Sequence, residues 1–477
     1  MGNFCYNAID LTSLLIEINT YGVKENRIMF KKDFHWGVAT ASYQIEGAAF
    51  EDGRSSSVWD DFSHTFGKTF NGHTGDVACD HYHRYEEDLT LMKELGVNSY
   101  RFSISWTRIM PDGTGKVNQK GVDFYNRLID SMLEKGITPF ITLFHWDYPS
   151  TLERMGGWLN PDSPKWFESY ARTVFELFSD RVKNYMTVNE PQCFIGLGYS
   201  SGVHAPGLRR TSADIIRMAH NVLLAHGLAV KALREISPDS SIGFASNMTS
   251  AIPLTDSPED IEAAREQQFQ CTPGGFAWKA SWWSDPIFFG KYPDSPALDS
   301  LGKFLPDTLD DDMKIISAPI DFCGTNIYQG CLCKAGKNGP ELVQNPINTA
   351  KNACNWPIMP EALYWGPKHL YDRYHKPIVI TENGMSCHDV VSLDGKVHDP
   401  NRIDFTHRYL KALKRATEKG VEVDGYFHWS FLDNFEWAEG YNERFGLVYV
   451  NYETLERIKK DSFEWYKNVI ATNGEII

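Results

Sequence analysis

Two glutamates of this sequence stand at the ends of apolar runs, where a carboxylate could take part in chemistry. Glu190 follows the apolar part of "MTVNEP", and Glu382 follows that of "PIVITENG". A buried run carries a carboxylate at low cost only where it opens onto water or a ligand, since desolvating an unpaired charge is expensive. Two carboxyl groups on opposite walls of one pocket are what hydrolysis of a glycosidic bond needs, one as acid and one as nucleophile or base.

Each glutamate taken singly is as well explained as a surface carboxylate at the end of a strand. Taken together they favour a shared site, because each stands beside an amide, Asn189 or Asn383, and each follows a run that contains valine or isoleucine. A separation of about 5 Å between the carboxyl groups favours retention at the sugar carbon, and roughly 6.5 Å or more favours inversion. The sequence spacing leaves both outcomes open.

Eight short apolar or β-rich runs alternate with longer amphipathic stretches, which is typical of parallel strands joined by helical crossovers. The predicted strands span residues 34–40, 98–106, 138–146, 184–191, 241–247, 320–328, 377–384 and 423–431. One helix is predicted over residues 121–136, with Gly136 as its stop and with apolar residues at helical spacing: Val122, Tyr125, Leu128, Ile129, Met132 and Leu133. Eight alternations predict an α/β fold, a single (β/α)8 TIM barrel with elaborated βα loops.

Polar residues fall late in most of these runs. They are Arg101, His145 with Trp146, Asn189 with Glu190, Asn326, Glu382 with Asn383, and His428 with Trp429. Reactive side chains of a (β/α)8 barrel gather at the C-terminal ends of its strands, so these positions predict one pocket. The stretch 248–319 is predicted as loop and helix rather than a second domain.

Composition excludes several classes of partner. The chain has 477 residues, of which 42% are hydrophobic and 23% charged. This composition, together with the lack of an apolar run of about 18 residues, predicts a globular protein with no membrane span. The formal charge of −15 argues against a nucleic-acid partner. The 14 tryptophans indicate either a heavy core or a ligand site lined with flat rings.

The cysteines and the N-terminus bear on the compartment. Nine cysteines are scattered, and only Cys331 and Cys333 lie close together, without the second pair that a zinc site needs. We interpret them as free thiols of a reducing compartment. Residues 1–27 lack the pattern of a secretory signal and are predicted to be an extension of unknown role, followed by one barrel domain over residues 28–477. These features predict a cytoplasmic protein.

Several motifs in order resemble those of glycoside hydrolase family 1, the retaining β-glucosidases. They are "YQIEG" (43–47), "YRFSISW" (100–106), "LFHWDYP" (143–149), "TVNEP", "ITENG" and "SFLDNFEWAEGYNERFGLVYV" (430–450). The resemblance covers essentially residues 30–470. It implies a glycoside hydrolase that acts on a small-molecule β-glucoside or oligosaccharide and requires no metal or other cofactor.

The resemblance assigns roles to matching residues. It implies Glu190 as acid/base and Glu382 as nucleophile, with Arg101, Tyr328 and Asn326 near the nucleophile. The residues that it implies around the sugar and its leaving group are Gln44, His145, Trp146, Asn189, Trp356, Trp429, Glu436, Trp437 and Phe445. Physical reasoning agrees with the two catalytic roles. Two interacting carboxyl groups lose their protons at different pH values, so one can keep its proton while the other is ionised. Arg101 and Tyr328 are expected to favour the ionised form of Glu382.

Neighbouring functions are separated by single residues. Glu436 stands where relatives specific for sugar 6-phosphates carry phosphate-binding residues, and a carboxylate there favours an unphosphorylated sugar. Glu190 is the carboxylate that thioglucosidases lack. Gln192 departs from the Trp or Asn of many members, which leaves the leaving group open among cellobiose, short β-glucosides and aryl β-glucosides. Transglycosylation, β-galactosidase or β-fucosidase activity, and a carbohydrate-binding pseudoenzyme remain alternatives.

Overall fold

Eight parallel strands of the protein close into a barrel. A computed structural model describes residues 30–477, so the extension predicted over residues 1–27 lies outside the described residues. The barrel strands are β1 His35–Ala39, β2 Ser99–Ser103, β3 Thr138–Phe144, β4 Asn184–Asn189, β5 Ser241–Asn247, β6 Phe322–Asn326, β7 Ile378–Asn383 and β8 Val423–Trp429. Each pairs with its neighbours in sequence, and β1 pairs with β8 to complete the circle.

A helix follows each strand before the next strand begins. These helices are α1 His81–Leu95, α2 Gln119–Glu134, α3 Ser163–Phe178, α4 Ser212–Ile236, α5 Leu309–Ile316, α6 Ala362–Tyr374, α7 Pro400–Glu418 and α8 Asp461–Ala471. The longest, α4, begins with a capping box in which Thr211 and Asp214 satisfy each other's backbone N–H groups. The predicted (β/α)8 architecture is confirmed.

The loops that leave the C-terminal strand ends carry short helices and two small sheets. The helices are Ser42–Ile45, Val58–Ser63, Phe70–Gly72, Trp106–Ile109, Ser150–Arg154, Gly157–Leu159, Pro191–Cys193, Phe194–Ser201, Pro258–Phe269, Phe276–Trp278, Ala280–Phe289, Pro296–Leu301, Gly302–Phe304 and Trp437–Glu439. One sheet joins Ser250–Pro253, Gly330–Gly336 and Gly339–Val343, and the other joins Val448–Val450 and Arg457–Lys459. The prediction of loop and helix over residues 248–319 missed the strand Ser250–Pro253.

Most predicted strands extend past the observed ones at their C-terminal ends. The run predicted to residue 146 leaves the ladder after Phe144, and the run predicted to residue 191 leaves it after Asn189. In both cases the polar residues beyond the ladder turn into the loop. The predicted helix over residues 121–136 is confirmed as α2, but Leu133 is 40% exposed and does not belong to its buried face.

The strand that carries Glu382 is buried along its whole length. All six residues of β7 are buried, and the next residue, Gly384, leaves no room for a side chain, since a Cβ there would lie 1.7 Å from the Trp429 carbonyl oxygen. The register of β7 against β6 shifts between Ile380 and Glu382. Such irregularities redirect side chains at the rims of barrels, and this one lies at the candidate nucleophile.

The eight cysteines within residues 30–477 are free thiols. Five of them are buried. The compartment inferred from them stays a prediction. In the part of the chain that the structure describes, no helix combines the length and apolar character needed to cross a membrane.

Candidate active site

The C-terminal ends of the barrel strands and the loops that follow them enclose a cavity. Its lining comes from the ends of six strands, β3 to β8, from the helical segment and loop after β4, and from the loops after β6 and β8. The residues are His145, Trp146, Glu190, Cys193, Leu197, His204, Asn247, Tyr328, Trp356, Glu382, Trp429, Glu436, Trp437 and Phe445. Both candidate carboxyl groups therefore face one space.

Ten of the fourteen residues predicted for the site line this cavity. The other four lie directly behind its wall and are completely buried: Gln44, Arg101, Asn189 and Asn326. Four lining residues were not predicted: Cys193, Leu197, His204 and Asn247. Asn247 could have been found, because it is the last residue of the fifth predicted strand and so obeys the rule that selected the others. The other three lie in the stretch from Cys193 to His204, which has no strand periodicity and so gave no signal for their prediction.

Glu382 is held at both oxygens. The Arg101 guanidinium donates to Glu382 Oε1 at 2.6 Å, and the Tyr328 hydroxyl donates to Oε2 at 2.6 Å. Burial raises the pKa of Glu382 to about 7, while the charge of Arg101 and the hydrogen bond from Tyr328 act in the opposite direction. The two partners favour the carboxylate as predicted, but burial outweighs them.

Glu190 has a different surrounding, made of weaker donors. Its Oε1 accepts hydrogen bonds from the side-chain amides of Asn326 at 2.7 Å and Asn247 at 3.0 Å, and the Cys193 thiol donates to Oε2 at 2.9 Å. Burial, followed by the charge of Glu190, holds the pKa of the Cys193 thiol well above its usual range, so the sulfur keeps its proton for this contact. The carboxyl group is thus fixed from three sides without a cationic partner among these contacts.

The backbone at Glu190 explains how it leaves the strand. Glu190 adopts a left-handed conformation with φ of 44°, and Pro191 then starts a short helix. Proline suits the first position of a helix because its φ is already helical and it has no N–H to satisfy. A left-handed non-glycine residue costs of order 1–3 kcal/mol. The surrounding barrel must supply this energy to point the side chain into the cavity.

Gln192 lies beneath Asn247. It is completely buried, and its amide donates to the Asn247 carbonyl oxygen at 3.1 Å and to Ser246 Oγ at 2.6 Å. Its own oxygen accepts from the Asn247 backbone N–H at 3.3 Å. This departure from the family pattern therefore acts from behind the cavity wall, by fixing the backbone of Asn247, which touches Glu190.

Aromatic rings form most of the remaining wall. On one side Trp356 packs against Tyr328 with ring centroids 5.4 Å apart, and Phe445 lies 6.2 Å from the same tyrosine. On the other side Trp437 lies 4.5 Å from Trp146. Flat rings on two walls suit a ligand with apolar faces and a polar rim, which is how pyranose sugars present themselves.

Glu436 is the third carboxyl group of the cavity. Burial, and next the charge of Glu382, raises the pKa of Glu436 to about 8, so it carries a proton at neutral pH. The sequence interpretation treated it as a carboxylate. Gln44 donates to it at 3.3 Å. A protonated carboxyl group can both donate to and accept from a sugar hydroxyl.

Buried polar atoms next to the cavity that have no hydrogen-bond partner within residues 30–477 include Gln44 Oε1 and His145 Nδ1. The Asn189 amide donates to His145 Nε2 at 3.0 Å, which places the ring proton on Nδ1. Burial holds the pKa of His145 well below its usual range, so the ring is neutral. An unpartnered acceptor and an unpartnered donor are suited to hydroxyl groups.

Comparison with known proteins identifies the family. The family model described as glycosyl hydrolase family 1 matches residues 26–475. The chain belongs to glycosyl hydrolase family 1. It is 49% identical to β-glucosidase A of Thermotoga maritima over 93% of this chain and 98% of that protein, and 48% identical to β-glucosidase A of Acetivibrio thermocellus over 94% and 100%.

A solved structure of a family 1 enzyme has the same fold. The β-glucosidase from Thermotoga maritima in complex with glucoimidazole superposes with a TM-score of 0.85 and 48% identity, over 94% of this chain and 99% of that one. Asn326, expected near the nucleophile, is the register partner of Glu382 on the neighbouring strand, and its side-chain amide donates to Glu190.

Within residues 30–477, no group of three or more histidine, cysteine, aspartate or glutamate side chains is placed to hold a metal ion. In a family 1 site with two carboxyl groups facing one cavity, one carboxyl group can accept a glycosyl group while the other donates and then removes a proton.

Proposed function

We propose that this chain is a retaining β-glucosidase that removes terminal non-reducing β-D-glucosyl units from cellobiose, short β-glucosides or aryl β-glucosides. The observation that carries the proposal is the unequal surrounding of two carboxyl groups in one cavity. Glu382 touches a guanidinium and a phenol, whereas Glu190 touches two amides and a thiol. Unequal surroundings allow one carboxyl group to act as nucleophile while the other holds a proton.

Glu382 acts as the nucleophile. Arg101 and Tyr328 fix both of its oxygens, and they stabilise the ionised form that attacks the sugar carbon C1. Glu190 donates a proton to the glycosidic oxygen in the same step, so that the leaving group departs as an alcohol. The sugar is then bound to Glu382 as an ester.

Glu190 acts as the base in the second step. Its carboxylate, now without the proton, removes a proton from water, and the water oxygen attacks C1 to release the sugar and regenerate Glu382. The donors Asn326, Asn247 and Cys193 stabilise the negative charge that Glu190 carries between the two steps. Two displacements at C1 give retention.

The sugar is proposed to be glucose without a phosphate. The Thermotoga maritima relative binds glucoimidazole, which supports a glucosyl unit in the cavity. Glu436, Gln44 and His145 provide uncharged or anionic partners for hydroxyl groups and offer nothing cationic to a 6-phosphate. The value of kcat/KM for an aryl β-glucoside should therefore greatly exceed that for its 6-phosphate.

Chemical rescue tests the nucleophile. Glu382→Gly should abolish hydrolysis of an aryl β-glucoside, and added azide should restore turnover with the α-glucosyl azide as product. Rescue with inversion requires that the missing carboxylate was the group that attacked C1. NMR of the product fixes both the sugar and its configuration.

A glutamate outside the cavity provides the control. The Glu153 carboxyl group accepts a hydrogen bond from the Tyr199 hydroxyl. Azide should have no effect on the activity of a Glu153→Gly variant. Near-wild-type activity in Glu382→Gly would refute the assignment, as would a β-glucosyl azide as the rescue product.

A further inference from the structure

Two separate segments carry the unpartnered atoms that suit sugar hydroxyl groups. Gln44 belongs to the short helix Ser42–Ile45, which follows β1, and His145 is the first residue after β3. In the barrel β2 lies between β1 and β3, so the two segments do not continue from neighbouring strands. Another contact must therefore set the distance between Gln44 and His145.

A buried hydrogen bond joins the two segments across the end of β2. The Ser42 hydroxyl donates to Asp147 Oδ2 at 2.9 Å, and Asp147 lies two residues beyond His145. The Ser42 backbone N–H donates to Ser103 Oγ at 2.8 Å, and Ser103 is the last residue of β2. All three side chains are buried. The bond between Ser42 and Asp147 thus connects the segment of Gln44 to the segment of His145.

The segment that contains Asp147 is also fixed on its other side. Trp146 lines the cavity in a left-handed conformation with φ of 79°, and its indole N–H donates to the Asn189 carbonyl oxygen at 2.9 Å. A left-handed non-glycine residue persists only where its surroundings hold it in place. The Ser42 hydroxyl holds this segment from the side of Gln44, and the Asn189 carbonyl oxygen holds it from the side of β4.

The carboxyl group of Asp147 is costly for the fold. Its Oδ1 is buried and has no hydrogen-bond partner within residues 30–477. Burial raises the pKa of Asp147 to about 7, against the hydrogen bond from Ser42 and the charge of Arg54. A buried oxygen without a partner lowers stability, and such a group in a folded protein calls for an explanation other than packing.

Asp147 and Ser42 do not line the catalytic cavity. Any effect on the sugar must therefore pass through the residues that they hold. We propose that Ser42 and Asp147 are positioning residues for sugar recognition, whose hydrogen bond sets Gln44 and His145 at the distance where both reach hydroxyl groups of one glucosyl unit. This inference rests on the proposed β-glucosidase function, and it adds two residues outside the cavity that determine which hydroxyl groups are recognised.

The test measures recognition of each hydroxyl group separately. The value of kcat/KM is determined for 4-nitrophenyl β-D-glucoside and for its 2-, 3-, 4- and 6-deoxy analogues, and the ratio of the intact to the deoxy substrate reports how strongly that hydroxyl group is bound. Gln44→Ala and His145→Ala identify the hydroxyl groups that these two residues bind, because the corresponding ratios fall. Ser42→Ala should lower the same ratios by about 2- to 12-fold, the range of one hydrogen bond, and leave the other ratios unchanged.

Substitutions of Asp147 test the partner of the bond. Asp147→Asn keeps an oxygen that can accept from Ser42 and should retain most of the wild-type ratios, whereas Asp147→Ala should behave like Ser42→Ala. Adding Ser42→Ala to Asp147→Ala should then cause little further loss, since both remove the same bond. If Asp147→Ala does not fold, Ser42→Ala and Asp147→Asn still decide the outcome.

A second buried pair of serine and aspartate provides the matched control. The Ser462 hydroxyl donates to Asp399 Oδ2 at 2.6 Å, and neither residue lines the cavity, so Ser462→Ala should keep every ratio of the wild type. Unchanged ratios in Ser42→Ala would refute the proposal, as would an equal loss of kcat/KM on all five substrates. The proposal also fails if neither Gln44→Ala nor His145→Ala changes any ratio. A folded wild type that does not hydrolyse the intact glucoside would instead refute the proposed function.

Discussion

The hydroxyl of Tyr328 offers the sharpest test of how the nucleophile is kept ionised. Tyr328→Phe removes one oxygen, which donates to Glu382 Oε2 at 2.6 Å. The ring itself stays packed against Trp356 and Phe445. The substitution therefore changes one hydrogen bond and little of the shape of the cavity.

The magnitude follows from the charge of the acceptor. A hydrogen bond to a charged group contributes about 1.5–3 kcal/mol, and about 1.36 kcal/mol corresponds to one pKa unit. This bond favours the ionised form of Glu382, so its loss should raise the pKa of Glu382 from about 7 by roughly one to two pH units. Because the nucleophile works ionised, activity at pH 6 should fall by about 10- to 150-fold, and the deficit should shrink as pH rises.

The assay must report the ionisation of Glu382 independently of proton donation by Glu190. A 2,4-dinitrophenyl β-D-glucoside has a leaving group that needs no proton, so the acidic limb of kcat/KM against pH reflects the nucleophile. Tyr125→Phe is the matched control, since the Tyr125 hydroxyl donates to Glu46 at 2.6 Å in a buried pair outside the cavity. It should lower stability and leave the limb unchanged. The reasoning is refuted if the limb of Tyr328→Phe coincides with that of the wild type or moves to lower pH.

Three further substitutions probe the carboxyl groups and their support. Glu190→Gln removes a charge that raises the pKa of Glu382, so with the dinitrophenyl substrate the acidic limb should move to lower pH; an upward movement would contradict this. Glu436 is protonated below about pH 8, so Glu436→Gln should differ least in charge from the wild type below that pH. The ratio of kcat/KM between the wild type and Glu436→Gln should therefore change between pH 7 and pH 9, and a constant ratio would count against it. Gln192→Leu releases the backbone of Asn247 and should reduce cleavage of cellobiose more than that of the dinitrophenyl glucoside, whereas equal losses would indicate a general packing defect.

The sequence was sufficient for the barrel because a parallel barrel strand is buried on both sides and reads as a short apolar run. It was less informative where the chain leaves the ladder. Trp146 and Glu190 turn into left-handed backbone conformations with φ of 79° and 44°, and such turns carry no periodic signal. The missed residues Cys193 and His204 lie in the helical stretch and loop after one of these turns, where only tertiary packing decides which side chains face the cavity.

The ionisation states of the site residues also could not be predicted from the sequence. Arg101 was expected beside Glu382 and is there, but the pKa of a carboxyl group depends on how much water surrounds it as well as on its partners. Burial depth is a property of the folded barrel. For the same reason the pKa of Glu436, which was read as an anion from its residue type, is raised by burial to about 8.

The tryptophans around the cavity have a spectroscopic consequence. Four of the 14 tryptophans line the space proposed for the sugar: Trp146, Trp356, Trp429 and Trp437. Indole emission depends on the polarity around the ring, so a sugar that displaces water from these four should change the intrinsic fluorescence of the protein. A nucleophile-deficient variant such as Glu382→Gly would then report binding of an intact glucoside in real time, without a label and without turnover.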